Sequence, residues 1–406
     1  PGPCRGESPA GHALVLGPDM PTNGQSQNPM NRGVPGLRGE VQNQPHPSFQ
    51  GPDTPVGTLD AKLQQHNASN DAVASRAEWA WASLNLAPPR ILSEEKLRDL
   101  LMKNHFCCGI NGGGGRRYQC GDKVAEEEKS KAVDLLVEAV RRLVHWRVWD
   151  VWWVDELMDE LLLMRDGLEV RLSKYGRDVV DSVVRLIDVF IDYGGRFREY
   201  WLRVGNEVGR LVGELLSGRV NVVVRRGALG ISIHTGSITL KVDRTETSIP
   251  VQLILDGLDG VYIDVPDIFE MAMSRDEYEG FTRELLFALK LGFAATDEGV
   301  HYNEPLMETT QSWQALLWSV LYSGRIYMHI NTVNVNENDV SILWHLVAID
   351  RRSLKRNAFG DAKKLSRDGL IGFVFTSILG DGSARIRDTH GSITPEISIA
   401  MSNCKR

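Results

Sequence analysis

Cysteine is scarce in this chain, with five residues among 406 and no regular spacing between them. An odd, irregular set does not make the paired framework of a small secreted disulfide protein. Long apolar runs are lacking too. None approaches the roughly 18 residues that span a bilayer, and no charged-then-apolar leader pattern is read, so a cytoplasmic protein with no membrane partner is expected. Nor is there an excess of positive charge: 46 Lys and Arg stand against 53 Asp and Glu, a net −7. A nucleic-acid surface therefore has to be a local patch rather than a property of the whole chain. What is present is ordinary globular composition, 42% hydrophobic and 24% charged, in a chain long enough for two or three domains.

Residues 1–57 are rich in Pro, Gly, Asn and Gln and are expected to be disordered, since they bury too little apolar surface to offset chain entropy. Residues 58–123 read as a helical segment followed by a Cys/Gly-rich loop. Within it, His105, Cys107, Cys108 and Cys120 allow two readings, a zinc knuckle or a flexible loop with ordinary cysteines. The absence of a C-x₂-C pair favours the loop. Residues 124–218 carry apolar positions at three- and four-residue spacing, which predicts long helices or short coiled coils, with turns at Asp166-Gly167 and Gly194-Gly195. Trp146, Trp149, Trp152 and Trp153 are expected in the core.

Period-two patterning then predicts a five-stranded antiparallel meander over Val220–Arg225, Leu229–His234, Ser237–Val242, Val251–Leu255 and Val261–Val265. Asp256, Asp259 and Asp264 are assigned to turn chemistry rather than to a cation. Helices are expected from Asp267 to Lys290, from Gln311 to Leu321 and from Asn338 to Lys355, with a strand over Arg325–Val335. His301, His329 and His345 look scattered, with no acid or cysteine at ligand spacing, so structural roles are expected.

Residues 351–406 hold the most specific pattern. A basic cluster that includes Lys355, Lys363, Lys364 and Arg367 leads to a Ser366-capped helix that is apolar nearly all round. Gly372, Thr376 and Gly380 recur every four residues, a small-residue stripe suited to close packing of a second helix. The helix ends in Gly380-Asp381-Gly382, and two short strands follow. Arg385 and Arg387 on the first of them are candidate readers of bases or phosphates.

Val374-Phe375-Thr376-Ser377-Ile378-Leu379-Gly380-Asp381-Gly382 resembles the signature helix of the LAGLIDADG homing endonucleases. From about Val124 onward the chain is similar to the PaRep repeat-encoded proteins of hyperthermophilic crenarchaea, two-b branch. The first resemblance implies that Asp381 is a catalytic acid and Mg²⁺ ligand, with Gly380 the matching secondary position. It also implies DNA as partner and a motif helix that sits at an interface. Because only one motif is read, a homodimer through residues 369–380 is expected to complete the acid pair. The expected fold class is α+β: a long helical region, residues 219–350 as β-meander and helices, and a truncated LAGLIDADG-like helix with a β-hairpin. The expected function is a DNA-binding protein of homing-endonuclease descent. The alternative is a non-enzymatic helical scaffold, in which the stripe serves packing alone.

Overall fold

Among the described residues the first helix, α1 (Glu94–Leu101), starts at Ser93, whose hydroxyl accepts a hydrogen bond from the Lys96 N–H at 3.3 Å. Glu94 and Glu95 lie at the positive end of its dipole. The computed structural model describes residues 92–111, 118–225, 229–273, 282–380, 382–389 and 392–399. The expected disorder over 1–57, the glycines of 112–115 and Asp381 lie outside them. The fold is α+β, and the described residues fall in one compact unit.

The Cys-bearing segment is not a loop. It forms β1 (His105–Asn111) and β2 (Tyr118–Lys123), an antiparallel pair, and β1 also runs parallel to a later strand, β3 (Asn221–Arg225). Phe106 and Cys107 are buried there, and the sequence gives little warning because the parallel partner lies more than a hundred residues away.

Three long helices follow: α2 (Glu126–His145), α3 (Trp152–Leu172) and α4 (Arg177–Leu216). Neither expected turn exists. Asp166-Gly167 lies inside α3 and Gly194-Gly195 inside the 40-residue α4. The chain reverses instead at Gly176, whose φ of 102° is open to glycine but strained for other residues. Gly194 serves helix contact, since a Cβ there would come within 2.6 Å of Met158 Sδ on α3. Of the four tryptophans expected in the core only Trp153 is buried, packed edge-on against Trp201 of α4. Trp146, Trp149 and Trp152 are half-buried, and Trp146 stacks on Trp152 at the corner between α2 and α3.

From β3 the chain runs through β4 (Gly230–Thr235), β5 (Ile238–Asp243) and β6 (Val251–Leu255), each antiparallel to the one before. The fifth expected strand, β7 (Val261–Val265), leaves the meander and pairs with β10 (Gly324–Val335). This long strand joins the whole sheet. Its first half holds β7, its second half holds β6, and β11 (Val340–Ala348) lies along its other edge. The helix expected over Asn338–Lys355 is therefore wrong. Ile342, Trp344, Leu346 and Ala348 are buried with half-buried Leu343 and His345 between the first three, a period of two broken only by the buried Val347 and disguised by the high local hydrophobicity. Two shorter strands, β8 (Gly299–His301) and β9 (Glu304–Thr309), complete the order β2-β1-β3-β4-β5-β6-β10-β11-β9-β8.

One face of this sheet is covered by helices. Phe190 of α4 meets Trp344 at 5.1 Å, and α7 (Ser312–Leu321) contributes the buried Trp318. The remaining helices are α5 (Ile268–Ala272), α6 (Arg283–Ala295), α8 (Ala358–Ala362) and α9 (Arg367–Leu379). The final strands, β12 (Gly382–Thr389) and β13 (Ser392–Ile399), form the separate two-stranded ribbon that the sequence suggested. No helix among the described residues is long and apolar enough to cross a membrane.

Candidate metal and nucleic-acid site

The small-residue stripe of α9 has its partner within the chain. Gly372, Thr376 and Gly380 face α6, and the two helices run parallel in close contact. At the N-terminal end Glu284 of α6 accepts the Ser366 N–H at 2.5 Å, beside the Ser366 hydroxyl that accepts the Gly369 N–H. At mid-length the Thr376 hydroxyl donates to the Leu289 carbonyl at 2.9 Å, and a Cβ on Gly292 would strike Thr376 and the backbone of Phe373. At the C-terminal end a Cβ on Gly380 would strike the Thr296 hydroxyl. The expected homodimer through 369–380 thus finds its face already filled: Thr376 and Ser377 are buried against α6.

The two helices also end side by side. Thr296 caps α6 with φ −118° and ψ −105°, and Gly380 caps α9 with φ −76° and ψ −104°. Asp297 follows the first cap in sequence and Asp381 follows the second. The Asp297 carboxyl carbon lies 3.3 Å from where a Gly380 Cβ would be, so this acid sits against the end of α9. Sequence reading found one motif; the structure pairs it with a second helix end. The signal was present in Gly292, Thr296 and Asp297, which repeat the spacing of Thr376, Gly380 and Asp381. It was missed because α6 lacks the Gly-Asp-Gly ending.

Gln314 of α7 fixes this end. Its Nε2 donates to Asp297 Oδ2 at 2.8 Å and to the Leu379 carbonyl at 3.4 Å, while its Oε1 accepts from Thr309. Glu298 turns the other way and is fully buried, accepting from the Tyr322 hydroxyl at 2.5 Å and from Ser353 at 3.4 Å. Burial pushes its carboxyl up to about 7, partly offset by those hydrogen bonds and by Lys355. The Lys355 ammonium donates to the Thr296 and Glu298 carbonyls, on either side of Asp297. Two helix C-termini meeting beside an acid concentrate negative potential, and Lys355 answers part of it.

The other basic residues lie elsewhere. Lys363, Lys364 and Arg367 are exposed at the N-terminal end of α9, about 20 Å from its acid end at 1.5 Å per residue. Lys364 is also paired with Asp361 at 2.7 Å. Arg385 and Arg387 occupy β12 opposite Glu396 and Thr394 of the ribbon.

The histidines that looked scattered come together on the sheet face away from α4. His329 and His345 have ring centroids 5.5 Å apart, and His301 lies 6.5 Å from His345. The row continues through Tyr327 to Tyr262, with the Arg325 guanidinium 4.5 Å from the Tyr262 ring. His345 meets Glu308 at 3.1 Å, a hydrogen bond that holds the Glu308 carboxyl below its ordinary value. No protein-family model, curated protein or solved structure matches this chain. The site therefore has to be read from its own geometry.

Proposed function

We propose that the chain is a DNA-binding unit of homing-endonuclease type, in which Asp297 and Asp381 form an acid pair inside one chain. The observation that supports this most is the side-by-side ending of α6 and α9. Parallel helices in close contact stop at the same level, the Gly380 cap against Thr296 and Asp297, and each is followed by an acid. The row of Arg325, Tyr262, Tyr327, His329, His345 and His301 offers rings and hydrogen-bonding edges to nucleic acid on the open sheet face.

The donor chemistry at the helix ends suits Mg²⁺. Carboxylate oxygens are hard ligands, and the two helix C-termini add negative potential. Asp297 and Asp381 would hold the cation, and when bound it supplies charge neutralisation and Lewis-acid activation for phosphodiester hydrolysis. Gln314 orients Asp297, and Lys355 holds the backbone on both sides of it. Arg385 and Arg387 contact DNA beside this end, whereas Lys363, Lys364 and Arg367 contribute only if the duplex extends along α9.

The test is binding and cleavage of a mixed-sequence duplex across a salt series with Mg²⁺. Salt-sensitive binding is expected, together with cleavage that is lost in Asp297→Asn and in Asp381→Asn while binding persists. Binding without cleavage in the parent chain reduces the reading to DNA recognition. No binding at low salt rejects it and leaves the helical scaffold in its place.

A further inference from the structure

A second group of donors lies far from the acid pair in sequence, on the hairpin that the sequence reading took for a loop. His105 and Cys107 stand two residues apart on β1, and Cys120 stands on β2 opposite Gly109. Their donor atoms all lie within 4.8 Å of one another, the only such group of three among the described residues. Cys107 and Cys120 are joined as a disulfide, with Cα atoms 5.3 Å apart. A disulfide has no use for a third donor, yet the His105 ring stands beside both sulfurs.

We propose that His105, Cys107 and Cys120 form a zinc site in the reduced protein, exclusive of the Cys107–Cys120 disulfide, with one coordination position open. Tetrahedral zinc, with Zn–S about 2.3 Å and Zn–N about 2.0–2.1 Å, sets its ligand atoms about 3.5–4 Å apart. A His105 ring nitrogen lies within 4.8 Å of both sulfurs, and the sulfurs can take up that spacing once their bond is opened. Two thiolates and an imidazole select zinc over Mg²⁺ or Ca²⁺, which take oxygen ligands. Loading releases one proton from each thiol and needs no redox partner. Opening the disulfide first takes two electrons and two protons, both from a pair of thiols, or the electrons from a phosphine and the protons from the water whose oxygen it takes up as phosphine oxide.

The strands suit this exchange. β1 is fixed on its inner side by β3, by the bond from the His105 N–H to the Val220 carbonyl, and by Asn104, whose amide donates to the Leu101 and Leu215 carbonyls. Cys107 is 1% exposed and anchors the site, whereas His105 and Cys120 are exposed to an incoming ion. β2 is the terminal strand of the sheet and pairs with β1 alone, across an irregular register between Cys107 and Gly109. It can shift by the small distance that separates a bonded pair of sulfurs from a metal-bridged pair without disturbing the meander.

The experiment uses the full chain, reduced with a phosphine under anaerobic conditions, and titrates Zn²⁺ against a chromophoric chelator. Co²⁺ replaces Zn²⁺ to report thiolate ligation by its absorption spectrum. One equivalent bound by the reduced chain and none by the oxidised chain is expected, with at least tenfold weaker binding in Cys120→Ser and in His105→Ala. His105 is exposed, so its replacement keeps the hairpin folded and isolates the ligand. Cys108→Ser is expected to leave the affinity unchanged. Zinc bound equally well by His105→Ala, or no zinc bound by the reduced chain, overturns the proposal and leaves a plain disulfide staple.

Discussion

Two helix pairs in this molecule approach through glycine, and they differ in what fills the seam. Between α3 and α4, Gly194 faces the side chains of Met158 and Leu161, and the rest of the contact is aromatic, with Trp153 against Phe197 and Trp201. Ion pairs line its rim, Arg198 with Asp155 at 2.5 Å and Arg165 with Asp188 at 2.7 Å. Between α6 and α9, Gly292 faces backbone, and the hydroxyls of Thr376 and Ser377 point into main-chain carbonyls. A seam of side chains can repack when its volume changes, but a seam of backbone cannot. The first geometry suits a stable framework. The second fixes where two helix ends lie, which is what the proposed pair of acids after those ends requires.

The contrast is broken most directly by Gly292→Ala. The new methyl would strike Thr376, the Phe373 carbonyl and, at 2.9 Å, the Ser377 amide nitrogen, so whole helices must part. A loss of about 3 kcal/mol is expected, at the upper end of overpacking costs. Denaturant midpoints measure it. A loss under about 1 kcal/mol would mean that the α6–α9 seam is as adaptable as the other.

The acid end of α6 gives the next effect, through Glu298. Its carboxyl is raised to about 7 from 4.5 because burial disfavours the charged form. The folded state therefore holds a proton that the unfolded state has lost between those values, and stability falls as pH rises through that window. The interval corresponds to about 3 kcal/mol at 1.36 kcal/mol per pH unit. In Glu298→Gln the gap from wild type should change by up to that amount between about pH 4 and pH 8, the variant gaining as pH rises. A constant gap would show that Glu298 ionises as it does in water. Burial also raises the carboxyls of Asp150 before α3 and Glu160 on it, but neither is fully buried as Glu298 is, so the larger effect belongs to the α6 side of the comparison.

How much of this was legible follows from where the information lies. The Ser366 cap, the apolar α9, its small-residue stripe and the following ribbon are local features, and period and capping chemistry revealed them. The stripe announced a partner helix but did not say which, because α6 is separated from α9 by four strands and two further helices. Gln314 could not be found at all, since its role exists only where α7 meets two helix ends. The histidine row was invisible for the same reason: His301, His329 and His345 lie on three strands and become neighbours only through sheet register. The β11 segment was misread because Val340–Ala348 is apolar enough to imitate a buried helix, although its burial alternates from Ile342 to Leu346.

A smaller effect separates the helix starts. α9 begins with the Ser366 hydroxyl on the Gly369 N–H at 3.1 Å, whereas α4 begins at Gly176 with no side-chain cap. Ser366→Ala should cost about 1 kcal/mol in thermal or denaturant unfolding. Because Glu284 of α6 holds the Ser366 N–H, the backbone should stay in place and any cleavage activity should survive. Loss of activity without loss of stability would mean that the N-terminal end of α9 takes part in function.

The smallest effects come from two adjacent glycines, and they test the reading of α4 itself. Gly194 faces Met158, whose thioether is the far end of a flexible side chain, while a Cβ on Gly195 would meet nothing within 4 Å. Alanine is favoured over glycine inside a helix by about 0.5–1 kcal/mol. Gly195→Ala should therefore stabilise by about that much, and Gly194→Ala should fall near zero as the same gain is offset by displacing Met158. If Gly195→Ala destabilises instead, Gly194-Gly195 is a break in the helix, as the sequence first suggested. The α3–α4 seam would then be two short contacts rather than one continuous framework.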